Sequence, residues 1–260
     1  MGKKRSGIGW VLSLVLFIFP LWASAHHALE YIEMESYTMP RKGEFLFHLH
    51  YDYYVPDEGY NYLDHWELTP GFAGGIFNWL MFDVHTHFAK FGSAHIVPEH
   101  QAEFDPAIGM PPFFEAVATS LQFRLTKPQQ LPIDAGLVFT YEYPFERSQE
   151  YLDGKEVYEA TLILYRELGE HRNICANLSY GLDGGEEFWE WAVGFKTPLS
   201  PDPHGINAGV EVIGDFDGGV SVLPGVYFPL APQINFKFGF QFGNEKWEKT
   251  RANLTIMYSF

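Results

Sequence analysis

Histidines in alternating pairs are the residues of this sequence best suited to chemistry. His48 and His50 flank a single leucine, and His85 and His87 flank a threonine. Residues two apart on a β-strand project from the same face, so each pair would present two imidazoles side by side. Neutral imidazole is a common ligand of zinc, copper and nickel. The pairs therefore predict either metal binding or an imidazole-rich polar surface.

Acidic residues share the parity of these histidines. Asp52 follows the first pair by two residues, and Asp83 precedes the second pair by two. The segment between the pairs carries His65 and Glu67. If three neighbouring strands hold these residues, a spacing of ~4.8 Å per strand separates the two histidine pairs by ~10 Å across Glu67. Because metal–nitrogen bonds are about 2.0–2.1 Å long, we expect one pair, with Glu67 or an aspartate, to form any metal site.

Three interpretations of these residues stay open. They form a polar network of imidazoles, carboxylates and water, a metal site, or a catalytic centre. The only cofactor that the sequence suggests is a divalent transition metal. Its predicted ligands come from His48, His50, His85 and His87. The full set of predicted binding residues is His48, His50, Asp52, His65, Glu67, Asp83, His85 and His87.

Nucleophilic catalysis has little support in the sequence. Gly-x-Ser-x-Gly and His-x-Ser patterns do not occur in the 260 residues. Ser120 and Ser179 are expected to face inward without a histidine at matching depth. Cys175 is the single cysteine, which excludes an intrachain disulfide. We therefore predict a protein that is not an enzyme, with a lipid- or glycan-modifying outer-membrane enzyme as the alternative.

The elements that must position these residues show a period of two. Apolar and polar residues alternate in about twelve segments, which is typical of a transmembrane β-barrel. We predict an all-β, antiparallel, up-and-down barrel over residues 44–260. Pro70 and Pro224 fall inside the pattern, where we expect bulges or strand ends. The predicted strands cover 44–55, 62–74, 79–91, 113–126, 133–145, 154–167, 171–181, 186–197, 204–215, 218–228, 233–243 and 249–260.

Parity also assigns the two faces of the barrel wall. In the penultimate strand, four phenylalanines alternate with polar residues. The apolar set is expected to contact lipid and the polar set to line the lumen. An even number of strands places both chain ends on the periplasmic side, and residues 92–112 then form the longest outer loop. The phenylalanines are Phe236, Phe238, Phe240 and Phe242.

The amino-terminal end resembles an export signal. Three basic residues at positions 3–5 precede an apolar stretch at 8–22 and a small-x-small motif that ends at Ala25. This order predicts a signal peptide at 1–25, cleaved after Ala25, in preference to a retained anchor. Residues 26–43 lack the barrel pattern, and we expect them to be a periplasmic extension or a plug in the lumen.

The carboxyl-terminal end resembles the closing strand of bacterial outer-membrane proteins. Leu254, Ile256, Tyr258 and Phe260 share one face, and the chain stops on phenylalanine. Together, the two ends predict a protein of the Gram-negative outer membrane. The expected partners are outer-membrane lipids and the barrel-assembly machinery, which would act through Phe260.

Charge limits the partners further. The chain has a formal net charge of −16, and removal of residues 1–25 takes away three basic residues and no acidic ones, which gives −19. So acidic a protein is repelled by a phosphate backbone, and a nucleic-acid partner is not expected. Small cations suit an acidic lumen better.

One hairpin carries a family resemblance. Residues 65–82 read HWELTPGFAGGIFNWLMF, an apolar strand, glycines, a turn with Asn78 and a second apolar strand. This pattern resembles the outer-membrane family named for a meta-pathway phenol-degradation gene cluster. The resemblance implies a small transporter-like barrel. We therefore predict a channel or transporter for small solutes, with a metal-binding barrel as the first alternative.

Overall fold

The structure is a computed structural model that describes residues 31–55, 65–91, 111–151, 154–169, 172–200, 205–244 and 250–260. The predicted signal peptide, its cleavage after Ala25 and most of the long connection at 92–112 lie outside the described residues. Among the residues described, there is no helix with the length and hydrophobicity needed to cross a membrane.

The strands of the described chain lie within a few residues of their predicted positions. They are β1 (Phe45–Tyr54), β2 (His65–Phe77), β3 (Leu80–Phe91), β4 (Phe113–Arg124), β5 (Asp134–Pro144), β6 (Val157–Gly169), β7 (Arg172–Asp183), β8 (Glu186–Pro198), β9 (Asn207–Asp215), β10 (Val220–Ala231), β11 (Ile234–Gly243) and β12 (Thr250–Ser259). A short helix, α1 (Glu146–Tyr151), follows β5. Consecutive strands pair antiparallel and β12 pairs with β1, which confirms the predicted closed barrel.

The two faces of the barrel wall differ as parity predicts. In β11, Phe238, Phe240 and Phe242 point outward and are 37%, 44% and 53% exposed. Lys237 and Gln241 point inward and are 3% and 1% exposed. Period-two alternation of this kind suits a wall that contacts lipid on one side and water on the other.

The carboxyl-terminal residue lies at the seam of the barrel. The Phe260 amide donates to the Phe45 carbonyl at 2.9 Å, and the Phe45 amide donates to the Phe260 carbonyl at the same distance. The Phe260 ring stacks on the Phe45 ring with 6.0 Å between centroids, and it also contacts Phe72. The last residue therefore links β1, β2 and the end of β12.

Two prolines lie within strands, so the expectation of bulges or strand ends is wrong. Pro70 of β2 is opposite Leu49 of β1, and Pro224 of β10 is opposite Val210 of β9. On the other side, the pairing of each strand skips the proline and the residue before it. Because proline has no N–H to donate, each one interrupts a single ladder while its strand continues.

Residues 31–40, which we call the inner segment, run inside the barrel. Tyr31, Ile32 and Tyr37 are buried, and the Tyr31 hydroxyl donates to the inward-facing Asn173 side chain at 2.6 Å. Just after the segment, the Gly43 amide donates to the carbonyl of Gly75 near the end of β2. The barrel interior therefore consists of inward side chains packed around a stretch of chain.

Candidate functional site

Three neighbouring strands carry the predicted binding residues. The register places Gly71 of β2 opposite both His48 of β1 and His85 of β3. Glu67, which we expected between the histidine pairs, is instead opposite Asp52. Because Gly71 has no side chain, it leaves the inner face of β2 uncovered between His48 and His85. Side chains of β1 and β3 can therefore meet across β2.

One imidazole from each pair meets a shared aspartate, in an arrangement that we call the His–Asp–His cluster. His48 Nε2 lies 2.7 Å from Asp83 Oδ2, and His85 Nδ1 lies 2.6 Å from Asp83 Oδ1. His48 and Asp83 are buried, and His85 is partly buried. Each residue offers one ligand atom, and these atoms all lie within 4.8 Å of one another.

Gly71 makes this cluster possible. A Cβ atom at this position would lie 2.2 Å from His48 Cε1 and 2.8 Å from His85 Cβ. Any side chain would therefore occupy the space that the His48 imidazole crosses to reach Asp83. We expected both nitrogens to come from one pair on one strand. The structure instead brings together His48 of β1 and His85 of β3, because Gly71 between them has no side chain to keep them apart.

A second cluster forms around His50. Its Nε2 atom lies 2.8 Å from Asp52 Oδ2 and 3.2 Å from Glu33 Oε1, and its Nδ1 atom lies 2.8 Å from the Thr255 hydroxyl. The guanidinium of Arg251 binds Glu33 Oε2 at 2.7 Å. Three ligand-type residues are thus held together, but a fixed cation already neutralises one of the carboxylates.

The remaining predicted residues are His65, Glu67 and His87. His87 Nε2 is 3.6 Å from Glu142 Oε2, and this buried nitrogen makes no hydrogen bond. His65 begins β2 opposite Tyr54. Glu67 faces inward and is directly opposite Asp52, a member of the second cluster.

The predicted inward serines and cysteine belong to a network of small polar groups. The Ser120 hydroxyl lies 2.9 Å from that of Thr140, and the Ser179 hydroxyl lies 2.7 Å from that of Thr161. Cys175 is fully buried, and its thiol lies 3.7 Å from the carbonyl of Glu35. In the described residues, neither serine makes a hydrogen bond to a histidine, which is the contact that nucleophilic activation needs.

A buried carboxylate anchors the inner segment at its amino-terminal end. Glu211 of β9 accepts three backbone N–H groups, from Ile32 at 2.6 Å and from Glu33 and Met34 at 3.0 Å each. The Tyr227 hydroxyl donates to the same carboxylate at 3.0 Å, and Glu211 is 0% exposed. Four hydrogen bonds therefore converge on this one side chain, which fixes the start of the inner segment.

Other inward side chains hold the rest of the inner segment. Gln122 donates to the Ser36 carbonyl at 2.7 Å, and Asn177 donates to the Glu35 carbonyl at 3.1 Å. Lys237 donates to the carbonyl of Tyr31. Tyr37 stacks on the Tyr165 ring with 5.2 Å between centroids. Contacts from several strands therefore fix the path of the segment.

The pKa values of two acidic residues in the inner segment are shifted in opposite directions. Burial by itself raises the pKa of Glu33, but the charges of Arg251 and His50 outweigh it and lower that pKa to about 2. Burial raises the pKa of Glu35 to about 7, and the negative charges of Glu159 and Asp83 add to this effect. Near neutral pH, Glu33 is therefore ionised while Glu35 is poised to gain or lose a proton.

Comparison with known proteins shows the fold. The chain matches no family model and no curated protein in sequence. In structure, it is similar to the KdgM porin, with a TM-score of 0.55, 8% identity and coverage of 82% of this chain and 99% of that one. A KdgM porin in complex with disordered oligogalacturonate gives a TM-score of 0.54 at 7% identity, covering 84% and 99% of the two chains. The chain has a porin-like barrel fold.

Sequence reasoning missed the residues that hold the inner segment. Glu211 stands alone between valines, and its inward parity was the only available signal. Glu33 lies in a stretch without strand periodicity, so no pattern connects it to His50 or Arg251. These contacts join positions that are distant along the chain, and only the folded barrel brings them together.

Proposed function

We propose that the protein is an outer-membrane channel for small solutes, narrowed by its inner segment. The observation that carries this proposal is the two-sided wall of the closed barrel, with apolar side chains outside and buried polar side chains inside. Such a wall is stable with lipid around it and water within it. The likeness to a protein named as a porin supports the same function.

The proposal includes a route to the membrane. The signal peptide at 1–25 would direct export and would be removed after Ala25. The closing strand would be recognised by the barrel-assembly machinery through Phe260. Residues 65–82, which form the β2–β3 hairpin, support a place in the meta-pathway outer-membrane family. That family implies a transporter-like barrel.

A preference for cations follows from the charges of the lumen. Carboxylates that face the lumen occur on several of the described strands, where basic side chains that face the lumen are fewer. A negative potential in a narrow passage raises the local concentration of cations. The carboxylates include Asp52, Asp83, Glu142, Glu159 and Glu190, and the basic side chains include Lys196, Lys237 and Arg251.

The inner segment would act as the plug within residues 26–43. It occupies the lumen at the depth of Glu211 and is held by hydrogen bonds and by the packing of Tyr31, Met34 and Tyr37 against inward apolar side chains. Water can replace the hydrogen bonds, at a net cost of about 0.5–1.5 kcal/mol each. Weakening the anchor should therefore widen the passage while the barrel stays folded.

Ion conductance tests the proposal. The folded protein without residues 1–25 is inserted into planar bilayers under a KCl gradient, and we expect discrete steps with a reversal potential of cation-selective sign. Glu211→Gln replaces one of the two oxygens that accept from the inner segment by an NH2 group, which cannot accept a hydrogen bond, and should give larger or more frequent openings. Glu186→Gln removes an exposed charge at the start of β8, away from the contacts of the inner segment, and should keep the wild-type step size.

Two results would contradict the proposal separately. A silent wild-type protein and a silent Glu211→Gln variant, both correctly folded, would exclude a channel. Equal step sizes and opening frequencies for Glu211→Gln and wild type would leave the channel in place and exclude the inner segment as its plug.

A further inference from the structure

We infer that the His–Asp–His cluster is a binding site for a divalent transition metal, with His48, Asp83 and His85 as its ligands. This inference goes beyond conduction, because it requires only the folded barrel. It also differs from the sequence-based expectation, since the ligands come from two strands that are not adjacent.

The geometry of the cluster suits a small cation. Ligands at about 2.1 Å from a tetrahedral metal lie ~3.4 Å from one another. The three donor atoms all lie within 4.8 Å, and the two imidazole–carboxylate contacts are 2.7 Å and 2.6 Å long. Small rotations of the side chains therefore bring the donors to bonding distance without movement of the strands.

The electrostatic surroundings favour this cluster over the one at His50. Among the described residues, the hydrogen-bond and ion-pair partners of Asp83 are His48 and His85. In the Glu33–His50–Asp52 cluster, Arg251 already binds Glu33 at 2.7 Å. A dication entering the second cluster has to displace or repel that guanidinium, whereas the hydrogen-bond partners of Asp83 in the described part of the chain are imidazoles, which are metal ligands in their neutral form.

The backbone of β2 makes room for one of the ligands. Because Gly71 has no side chain, the His48 imidazole can cross β2 to reach Asp83; a Cβ at position 71 would lie 2.2 Å from His48 and 2.8 Å from His85. On the lumen side, the charge of Glu35 interacts with both Asp83 and His85. A metal with three protein ligands would have water in its fourth position.

The donor set indicates the class of metal. Two imidazole nitrogens and one carboxylate oxygen suit zinc, copper or nickel, whereas calcium and magnesium favour sites made of oxygen atoms. His48 and His85 would bind the metal through the same nitrogens that contact Asp83, so any proton on His48 Nε2 or His85 Nδ1 has to move to the other ring nitrogen or to solvent. The expected ligand is therefore Zn²⁺ or a chemically similar ion.

Metal titration of the folded protein tests this site. Residues 1–25 are absent, and His26 and His27 are replaced by glutamine, so that this pair of histidines cannot bind the metal. Calorimetry with ZnCl₂ in detergent should give one site per chain. Loss of an outer-shell partner already costs 10–100-fold in affinity, so His48→Gln or His85→Gln should weaken binding by at least about 100-fold.

His50→Gln is the matched control. It is the same substitution on the same face of β1, in the cluster that Arg251 occupies, and it should retain the wild-type zinc affinity within about threefold. Folding of every variant is checked by its heat-dependent migration in gels. Absence of zinc binding, wild-type affinity in both His48→Gln and His85→Gln, or equal loss in His50→Gln would overturn the inference.

A measurement on the unsubstituted site covers the case in which a variant does not fold. One equivalent of Cu²⁺ is added to the protein with His26 and His27 replaced, and its electron paramagnetic resonance spectrum is recorded. Coupling to two imidazole nitrogens is the expected result. Coupling to one nitrogen or to none would exclude the ligand set. Because neither measurement requires ion flow, a failed conductance experiment leaves this inference standing, and the reverse also holds.

Discussion

Glu35 of the inner segment titrates near neutral pH. Its pKa is raised to about 7 by burial and by the nearby carboxylates of Glu159 and Asp83, while His85 and Lys237 act in the opposite direction. An undocked segment would return this pKa to its ordinary value of 4.5. Because the docked state holds the proton more tightly, docking should weaken as pH rises from about 4.5 to 7 and then level off.

Hydrogen exchange of the inner segment checks this prediction. In the wild-type protein, amides of residues 31–40 should lose protection between pH 5 and pH 8, after correction for intrinsic rates. Glu35→Gln should flatten this dependence, since the amide does not titrate. Glu33 should not affect protection between pH 5 and pH 8. Its pKa is lowered from 4.5 to about 2, so its effect on docking changes only below about pH 4.5.

The control for this experiment is Glu186→Gln, which changes an exposed acid at the start of β8. It should reproduce the wild-type dependence on pH. A pH profile for Glu35→Gln that is indistinguishable from both wild type and Glu186→Gln would contradict the assignment of the effect to Glu35.

The strand β2 shapes the candidate site through what it lacks. Its inward positions near the middle are small, and Gly71 is the point where His48 passes over the backbone. Glycine in a strand is unfavourable by about 0.5–1 kcal/mol relative to alanine, so such a position is usually retained for close packing. Here the His48 imidazole packs closely over the backbone of Gly71 and contacts Asp83.

Gly71→Ala should therefore destabilise the barrel, although alanine is a better strand residue. The added Cβ overlaps the His48 ring and would cost about 1–3 kcal/mol as an overpacked site. Urea unfolding in detergent measures the change. Gly136→Ala is the matched control on β5, because its Cβ would meet nothing nearer than 3.3 Å. Equal stability of the two variants would show that His48 does not need the space above Gly71.

The barrel as a whole is organised by its outward face. Phe238 lies near the middle of β11, and its side chain points away from the lumen. If this face contacts lipid, a charge placed there has to be desolvated or has to reach the interface. A charged residue in the turn between β9 and β10 has no such cost.

Phe238→Arg should consequently lower the free energy of unfolding in lipid vesicles by about 2–4 kcal/mol, the cost of arginine near the midplane of a bilayer. Phe216→Arg, at a turn residue that is 68% exposed, should change it by less than about 1 kcal/mol. Equal effects of the two substitutions would mean that the middle of β11 does not lie in the apolar part of a membrane.

Strand positions and faces could be predicted because alternation is a local property. Each strand needs only its own sequence to separate an apolar face from a polar one, and β11 does so over ten residues. The parity of His48, His50, Asp83, His85 and His87 was predictable for the same reason. So was the even number of strands, since each segment carries its own pattern.

The partners of those residues depend on register and on the path of the inner segment. Glu211 and Ile32 are 179 positions apart, and no periodicity connects them. Likewise, whether His48 meets Asp83 or Glu67 depends on a four-residue difference in the pairing of β1 with β2, and on the missing side chain of Gly71. The sequence alone determines which side of the wall each histidine faces, because that depends only on its position within its own strand. The tertiary structure decides which residues each histidine contacts, because those contacts join distant segments and form only when the sheet closes around the inner segment.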